Sequence, residues 1–104
     1  MHGIDLEKAQ REQTRWRILK VLDAGRPLPV SEVVILQVLQ DTALPITVSM
    51  LRRELDYLED RKLVILHGRT KSPVWAAELT HFGVDIVEYT VDCFAGIARP
   101  PKWD

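Results

Sequence analysis

The sequence of 104 residues contains one cysteine, Cys93, and no long apolar segment. A single cysteine cannot form an intrachain disulfide, and a cysteine-based metal cluster is excluded. No apolar run approaches the length that crosses a bilayer, and residues 1–12 are polar, unlike a secretory signal. These absences predict a cytoplasmic location. A chain of this length has room for one domain with a modest core.

Neither sign of charge dominates the chain. The formal net charge is −1, from 14 Lys and Arg against 15 Asp and Glu. Residues 1–75 carry 12 basic and 10 acidic side chains, whereas residues 76–104 carry 2 and 5. A nearly neutral protein needs a local cluster of cations to bind phosphate backbones, so the arrangement of charge decides that question.

Residue types that catalyse reactions or bind metals are scattered. His2, His67 and His81 have no short metal-ligand spacing, and the serines have no identifiable base partner. The chain has no glycine-rich phosphate loop, and Cys93 lies in an apolar stretch that favours packing over reactivity. We therefore expect no enzymatic activity, no metal and no cofactor.

Helical periodicity predicts two helices in the first part of the chain. The first covers residues 5–24 and stops before Gly25 and Pro27. The prolines of residues 26–30 then require an extended connection. Ser31 is a predicted N-cap for the second helix, over residues 32–40.

A third predicted helix is amphipathic and covers residues 47–62, with Thr47 or Ser49 as its cap. A helical wheel places its apolar side chains on one side and polar ones opposite. The apolar side comprises Val48, Leu51, Leu55 and Leu58, and the opposite side comprises Ser49, Arg53, Asp56 and Asp60.

A β-hairpin is predicted next, from "LVILH" and "VWAAEL" on either side of the polar tip "GRTKSP". Trp75, Ala77 and Leu79 alternate onto one face, which we expect to point inward. Thr80 then caps a fourth predicted helix that reaches Phe94.

This order of elements resembles the winged helix-turn-helix domain, an α+β fold that is mainly α, with a three-helix core, a β-hairpin wing and an additional C-terminal helix. The similarity is to small regulators of the MarR, ArsR and PadR types. "TVSMLRRELDYLEDRKLV" resembles their recognition helix entering the first wing strand, and "AAELTHFGVDIV" resembles the return strand and next helix. The resemblance covers residues 14–91, within a predicted domain 1–95 followed by an extended tail, 96–104.

Two departures from the family pattern stand out. Lys62 occupies the helix-to-strand corner, where the family usually has glycine at positive φ, and "QDTALPIT" is longer than a tight helix-turn-helix turn. The segments "LEKAQREQTRWRILKVL" and "PPKW" also resemble small winged-helix proteins of Mu-like phages and prophages.

The resemblance implies a DNA-binding transcriptional regulator. Helix 47–62 would read the major groove and wing 67–73 would contact the backbone. The implied partners are double-stranded DNA and a second copy of the chain, paired through the first and last helices. No small-molecule ligand is identifiable. The candidate DNA-binding residues are Thr47, Ser49, Arg52, Arg53, Tyr57, Arg69, Thr70 and Lys71.

An alternative interpretation is a winged-helix module that binds protein and not DNA. Acidic residues beside the third helix's outer face favour it, and Arg52 with Asp56 and Arg53 with Tyr57 are plausible neighbours on a solvated helix. The basic residues of the first helix, interleaved with Glu7 and Glu12, favour a solvated surface over a phosphate contact. They are Lys8, Arg11, Arg15, Arg17 and Lys20.

The three tryptophans divide into two groups. Trp16 and Trp75 are expected in the core or an interface, and neither is expected to stack on bases. Trp103 lies in the proline-rich tail, where an aromatic side chain needs a surface to cover, on this domain or on a partner.

Overall fold

The computed structural model describes residues 3–102 and is an α+β fold, mainly helical, as the sequence predicts. Its described part contains four helices and three short strands. In chain order these are α1 (Leu6–Gly25), β1 (Val30–Ser31), α2 (Glu32–Asp41), α3 (Val48–Asp60), β2 (Val64–His67), β3 (Ala76–Leu79) and α4 (His81–Val87). No helix within residues 3–102 combines the length and apolar content that a membrane span requires.

Each helix begins at a residue whose side chain accepts a hydrogen bond from a backbone N–H of the first turn. Ser31 caps α2 through the N–H of Val33 at 3.1 Å, as predicted. Thr80 caps α4, also as predicted. Thr47, and not Ser49, caps α3, and Asp5 caps α1.

The three strands form an antiparallel sheet in the order β1–β3–β2. The predicted hairpin is confirmed, with Val64 opposite Leu79. The sequence missed the third strand: the proline-rich connection ends in β1, whose Val30 pairs with Ala77. Ala77 and Leu79 are buried, as the alternation predicts.

The core fills the space between the helices and one face of the sheet. Leu51, Leu55 and Leu58 of α3 have no exposed surface, which confirms the predicted apolar side. Val48 was wrongly included, because it lies at the first residue of the helix and is 46% exposed. Trp16 is buried in this core, as expected.

Lys62 makes the turn from α3 into β2 with φ of +65°. Its N–H bonds the carbonyl of Glu59 at 2.9 Å, and the N–H of Leu63 bonds that of Leu58 at 2.9 Å. These are the two bonds of a Schellman motif, whose left-handed residue is usually glycine. Of the two possibilities for this corner, a left-handed Lys62 or a different turn, the structure has the first.

The fourth helix is shorter than predicted and ends at Val87, not Phe94. Tyr89 turns the chain with φ of +62°. Arg99 donates hydrogen bonds from Nη1 to the carbonyl oxygens of Ile86 at 3.0 Å and Val91 at 2.9 Å. These bonds satisfy carbonyls that a continued helix would use.

The C-terminal segment packs against the helices. Ile97 is buried, the N–H of Ala98 bonds the carbonyl of Glu12 at 3.1 Å, and Tyr89 donates its hydroxyl to the carbonyl of Pro100 at 2.7 Å. The predicted tail, 96–104, thus begins with residues that join α1 to the end of α4. Trp103, predicted to cover a surface, lies outside the described residues.

Candidate nucleic-acid interface

The α3 helix has one outward face, bordered by two flanks that contact the rest of the protein. Ser49, Arg53, Asp56 and Asp60 are all exposed on the outward face, as the helical wheel predicts. One flank lies against α2 and the hairpin, and the other lies against α1. Each flank contains a buried glutamate held by arginine.

The Glu32 cluster, formed by Glu32, Arg52 and Trp75, joins α2 and α3 to the hairpin. Arg52 donates from Nε and Nη2 to the two carboxylate oxygens of Glu32, at 2.8 and 2.6 Å. The backbone N–H of Trp75 also bonds Glu32, at 2.7 Å, and Arg52 Nη2 bonds the carbonyl of Pro73 at 3.0 Å. Both oxygens of a carboxylate that is only 5% exposed are therefore satisfied.

The hairpin loop, residues 68–75, is also tied to the second half of α3. Arg69 contacts the carboxylate of Asp56 and lies 3.3 Å from that of Glu59. The guanidinium groups of Arg52 and Arg69 lie 4.6 and 4.9 Å from the centre of the Trp75 ring. This stacking places the loop beside the outward face of α3.

The Glu54 cluster, formed by Arg11, Arg15, Arg53 and Glu54, occupies the opposite flank. Arg15 Nε bonds Oε1 of Glu54 and Arg11 Nε bonds Oε2, both at 2.8 Å, and Arg53 Nε lies 3.6 Å from Oε2. Arg15 is buried and also donates to the carbonyl of Gly96 at 2.9 Å. The expected solvated surface is therefore wrong for Arg15, which is buried and, like Arg11, reaches across to α3.

The arginine bonds keep these groups ionised. The hydrogen bond from Arg52 holds the pKa of Glu32 below its ordinary value, although burial acts in the opposite direction. The same bond raises the pKa of Arg52, and the bond to Glu54 raises that of Arg11. Burial raises the pKa of Cys93, which favours the unreactive thiol.

The eight candidate residues divide by their surroundings. Thr47, Ser49 and Arg53 are exposed at the start and on the outward face of α3, and Thr70 and Lys71 are exposed in the hairpin loop. The other three are engaged within the protein. They are Arg52 in the Glu32 cluster, Arg69 with Asp56 and Glu59, and Tyr57, whose ring lies 3.6 Å beneath the guanidinium carbon of Arg15.

Sequence reasoning missed the two buried glutamates. Glu54 lies on the apolar side of α3, near Leu51 and Leu58 on the helical wheel, and a carboxylate in that position signals a buried ion pair. Glu32 gave no such signal, because an acid in the first turn of a helix is ordinary. Arg52 pairs with Glu32 and not with Asp56, the neighbour expected on a solvated helix.

Comparisons with protein-family profiles, curated proteins and solved structures found no match for this chain. The interface is therefore judged on its own geometry. Within residues 3–102, no three His, Cys, Asp or Glu side chains are grouped so that they could hold a metal ion.

Proposed function

We propose that this chain is a winged helix-turn-helix protein that binds duplex DNA with the first half of α3 and the hairpin loop. The order of elements and the β1–β3–β2 sheet support this proposal, because the hairpin follows α3 directly and lies beside it. In such domains the recognition helix enters the major groove. A role in transcription is part of the same proposal.

The observation that carries the proposal is that no exposed acidic side chain lies in the first half of α3 or in the hairpin loop, because Glu54 is buried. Thr47, Ser49 and Arg53 are exposed in the first half of α3, and Ser49 and Arg53 share one stripe of the helix. The hairpin loop contributes Arg69 and Lys71 and contains no Asp or Glu. Arginine donors suit guanine edges, and the lysine suits a phosphate.

The exposed acids of α3 lie in its second half and are partly neutralised. Asp56 and Glu59 are both within ion-pair distance of Arg69, so this arginine is a bridge in the free protein. The pair is about half exposed, and exposed pairs contribute little to stability. Arg69 can therefore exchange these carboxylates for a phosphate at small cost.

A fluorescence anisotropy titration with random-sequence duplex tests the proposal. We expect binding that weakens steeply with salt, with a slope that falls by about one for each phosphate contact removed. Arg53→Ala/Lys71→Ala should weaken binding and reduce the slope. Arg17→Ala/Lys20→Ala is the matched control, because it removes two exposed cations from α1. Equal losses in both variants, or binding insensitive to salt, would contradict a site on α3.

A second candidate function is protein recognition, favoured by the outer surface of α2. Val33, Val34 and Val38 are 59%, 51% and 38% exposed. No charged residue lies between Val33 and Gln40, which is unusual for a solvated helix. If the duplex titration shows no binding, this apolar row becomes the main candidate interface.

The proposal includes a homodimer that pairs through the first and last helices. Ile4, just before α1, and Leu6, its first residue, are 88% and 66% exposed, which leaves apolar side chains for a second copy to cover. Two copies would also present two recognition helices to successive turns of DNA. Sedimentation velocity tests the dimer. The unmodified protein should sediment as a dimer, and Ile4→Ser/Leu6→Ser should shift it to monomer. If the unmodified protein is monomeric, the proposed dimer is wrong.

A further inference from the structure

A cavity of about 410 Å³ lies between α1 and the beginning of α3, on the flank of the Glu54 cluster. Pro45, Ile46 and Met50 supply its apolar wall, and Arg11 and Arg53 supply its cationic wall. The volume lies within the range of clefts that hold small organic molecules. Apolar walls with a few convergent polar groups are typical of such sites.

The two arginines of this wall have unused donors. Both direct Nε toward the same oxygen of Glu54, at 2.8 Å for Arg11 and 3.6 Å for Arg53, so their guanidinium groups lie side by side. Their terminal nitrogens donate no hydrogen bond to any residue in the range 3–102. In contrast, a terminal nitrogen of Arg15 donates a hydrogen bond to the carbonyl of Gly96. Two adjacent guanidinium groups whose terminal N–H groups have no acceptor are suited to bind an oxyanion.

Charge in the cluster favours an anion. Three guanidinium groups surround the single carboxylate of Glu54, whose oxygens already accept bonds from Arg11 and Arg15. The other acid lining the cavity is Glu7, which is exposed at its rim. The charged residues that line the cavity balance in number, Arg11 and Arg53 against Glu7 and Glu54. Arg15, which is buried and bonded to Glu54, adds the net positive charge of the cluster, which a ligand's negative group would offset.

We infer that this cavity binds a small organic anion, whose oxyanion contacts Arg11 and Arg53 and whose apolar part covers Pro45, Ile46 and Met50. The ligand class is a carboxylate or phosphate monoester that carries a short aliphatic chain. The site does not require DNA binding, because its residues and its charge are those of the free protein. It supplies a small-molecule site that the sequence did not identify.

Nuclear magnetic resonance titrations with hexanoate and hexyl phosphate test the site on the full chain. We expect shifts of the Arg Nε–H signals of Arg11 and Arg53 and of the Met50 methyl group. Hexanamide has the same chain without charge, and inorganic phosphate has charge without a chain, so both should bind more weakly. Hexanoate and hexyl phosphate together identify which oxyanion the site prefers. If neither moves these signals, or if hexanamide binds equally well, the inference is wrong.

Two substitutions should change the affinity in opposite directions. Arg53→Ala should raise the Kd for the bound probe about tenfold, the loss expected for one charge-assisted contact. Glu7→Gln should lower it by about twofold, since a rim charge that repels the anion is removed. Arg17→Ala, an exposed arginine elsewhere on α1, should leave it unchanged. A Kd that Arg53→Ala does not alter, while the fold is intact by its amide spectrum, would overturn the site.

Discussion

Both flanks of α3 contain a buried glutamate paired with arginine, but the number of arginines differs between them. On the hairpin side, one arginine meets one glutamate: Arg52 contacts both oxygens of Glu32, and the remaining bonds go to Trp75 and Pro73. On the α1 side, three arginines meet one glutamate, so that donors outnumber acceptors. The carboxylate of the hairpin flank accepts hydrogen bonds on both oxygens from one arginine. The α1 flank has arginine N–H groups that donate to no acceptor among residues 3–102.

This difference separates two arginines that are neighbours in the sequence. Arg52 holds the hairpin against α2, and its positive charge is paired with Glu32 within the protein. Arg53, one residue later, faces outward and is 47% exposed. An arginine can bind a ligand without leaving a buried carboxylate unpaired when that carboxylate also accepts hydrogen bonds from other residues. Arg53 meets that condition because Arg11 and Arg15 hold Glu54.

The largest effect should come from removing the charge of Glu54. Glu54→Gln leaves Arg15 buried without a carboxylate, and breaking a buried ion pair costs about 3–5 kcal/mol. Urea unfolding at neutral pH measures the change in free energy of unfolding. Glu59→Gln, which removes an exposed carboxylate from the same helix, should cost less than about 1 kcal/mol. Equal losses would mean that the Glu54 flank is no more rigid than the surface.

Arg52→Ala should be the next largest change, at about 2 kcal/mol, the range for hydrogen bonds to a charged group. It leaves Glu32 buried with the Trp75 N–H as its remaining partner in the described structure. Amide hydrogen exchange should rise in the hairpin loop and at the start of α2, because the same side chain holds both. If exchange rises across the whole chain equally, the effect is not local to the hairpin.

The hairpin flank should also make stability sensitive to acid. The pKa of Glu32 is lowered from its ordinary value of 4.5, chiefly by the Arg52 bond, so the folded state favours the ionised form. Its contribution is complete above the ordinary pKa and is lost as pH falls through the lower, folded-state value. Urea midpoints measured stepwise below pH 4.5 should fall less steeply in Glu32→Gln than in the unmodified protein. Glu88→Gln, which removes an exposed carboxylate, is the matched control.

A substitution outside both flanks calibrates these losses. Lys62 holds φ of +65°, which a residue with a Cβ adopts at a cost of about 1 kcal/mol. Lys62→Gly should therefore raise the free energy of unfolding by somewhat less than this amount, because glycine gives up more freedom on folding. Thermal and urea unfolding measure the gain. A loss of stability would mean that the Lys62 side chain contributes more than its backbone angle costs.

Local rules predicted much of the fold. The caps Ser31 and Thr80 and the presence of the hairpin follow from single residues or short patterns. The end of α4 did not follow, because it involves a left-handed Tyr89 and hydrogen bonds from the more distant Arg99 to the carbonyls of Ile86 and Val91. The strand β1 was missed for the same reason, since two residues become a strand only by pairing with β3.

The candidate interface was harder to predict than the fold. Sequence periodicity placed Arg52 and Arg53 near the outside of α3, and both are indeed accessible in part. Arg52 pairs with Glu32, which lies 20 residues earlier. Glu54, the carboxylate beside Arg53, pairs with Arg11, which lies 43 residues earlier. Ion pairs across such separations leave no periodic trace. Which arginine is structural and which is available therefore required three-dimensional contacts.

The substitution with the smallest expected change in stability is also the one that tests whether the two flanks differ in function. Arg53→Ala removes a half-exposed side chain from a glutamate that keeps both of its hydrogen-bonded arginines, so unfolding should change by no more than about 0.5 kcal/mol. The same variant should lose affinity for duplex DNA and for hexanoate. Arg52→Ala is its matched counterpart, with a larger effect on unfolding. Circular dichroism melts beside binding titrations would measure both quantities, and a large loss of stability in Arg53→Ala would make Arg53 a structural residue like its neighbour.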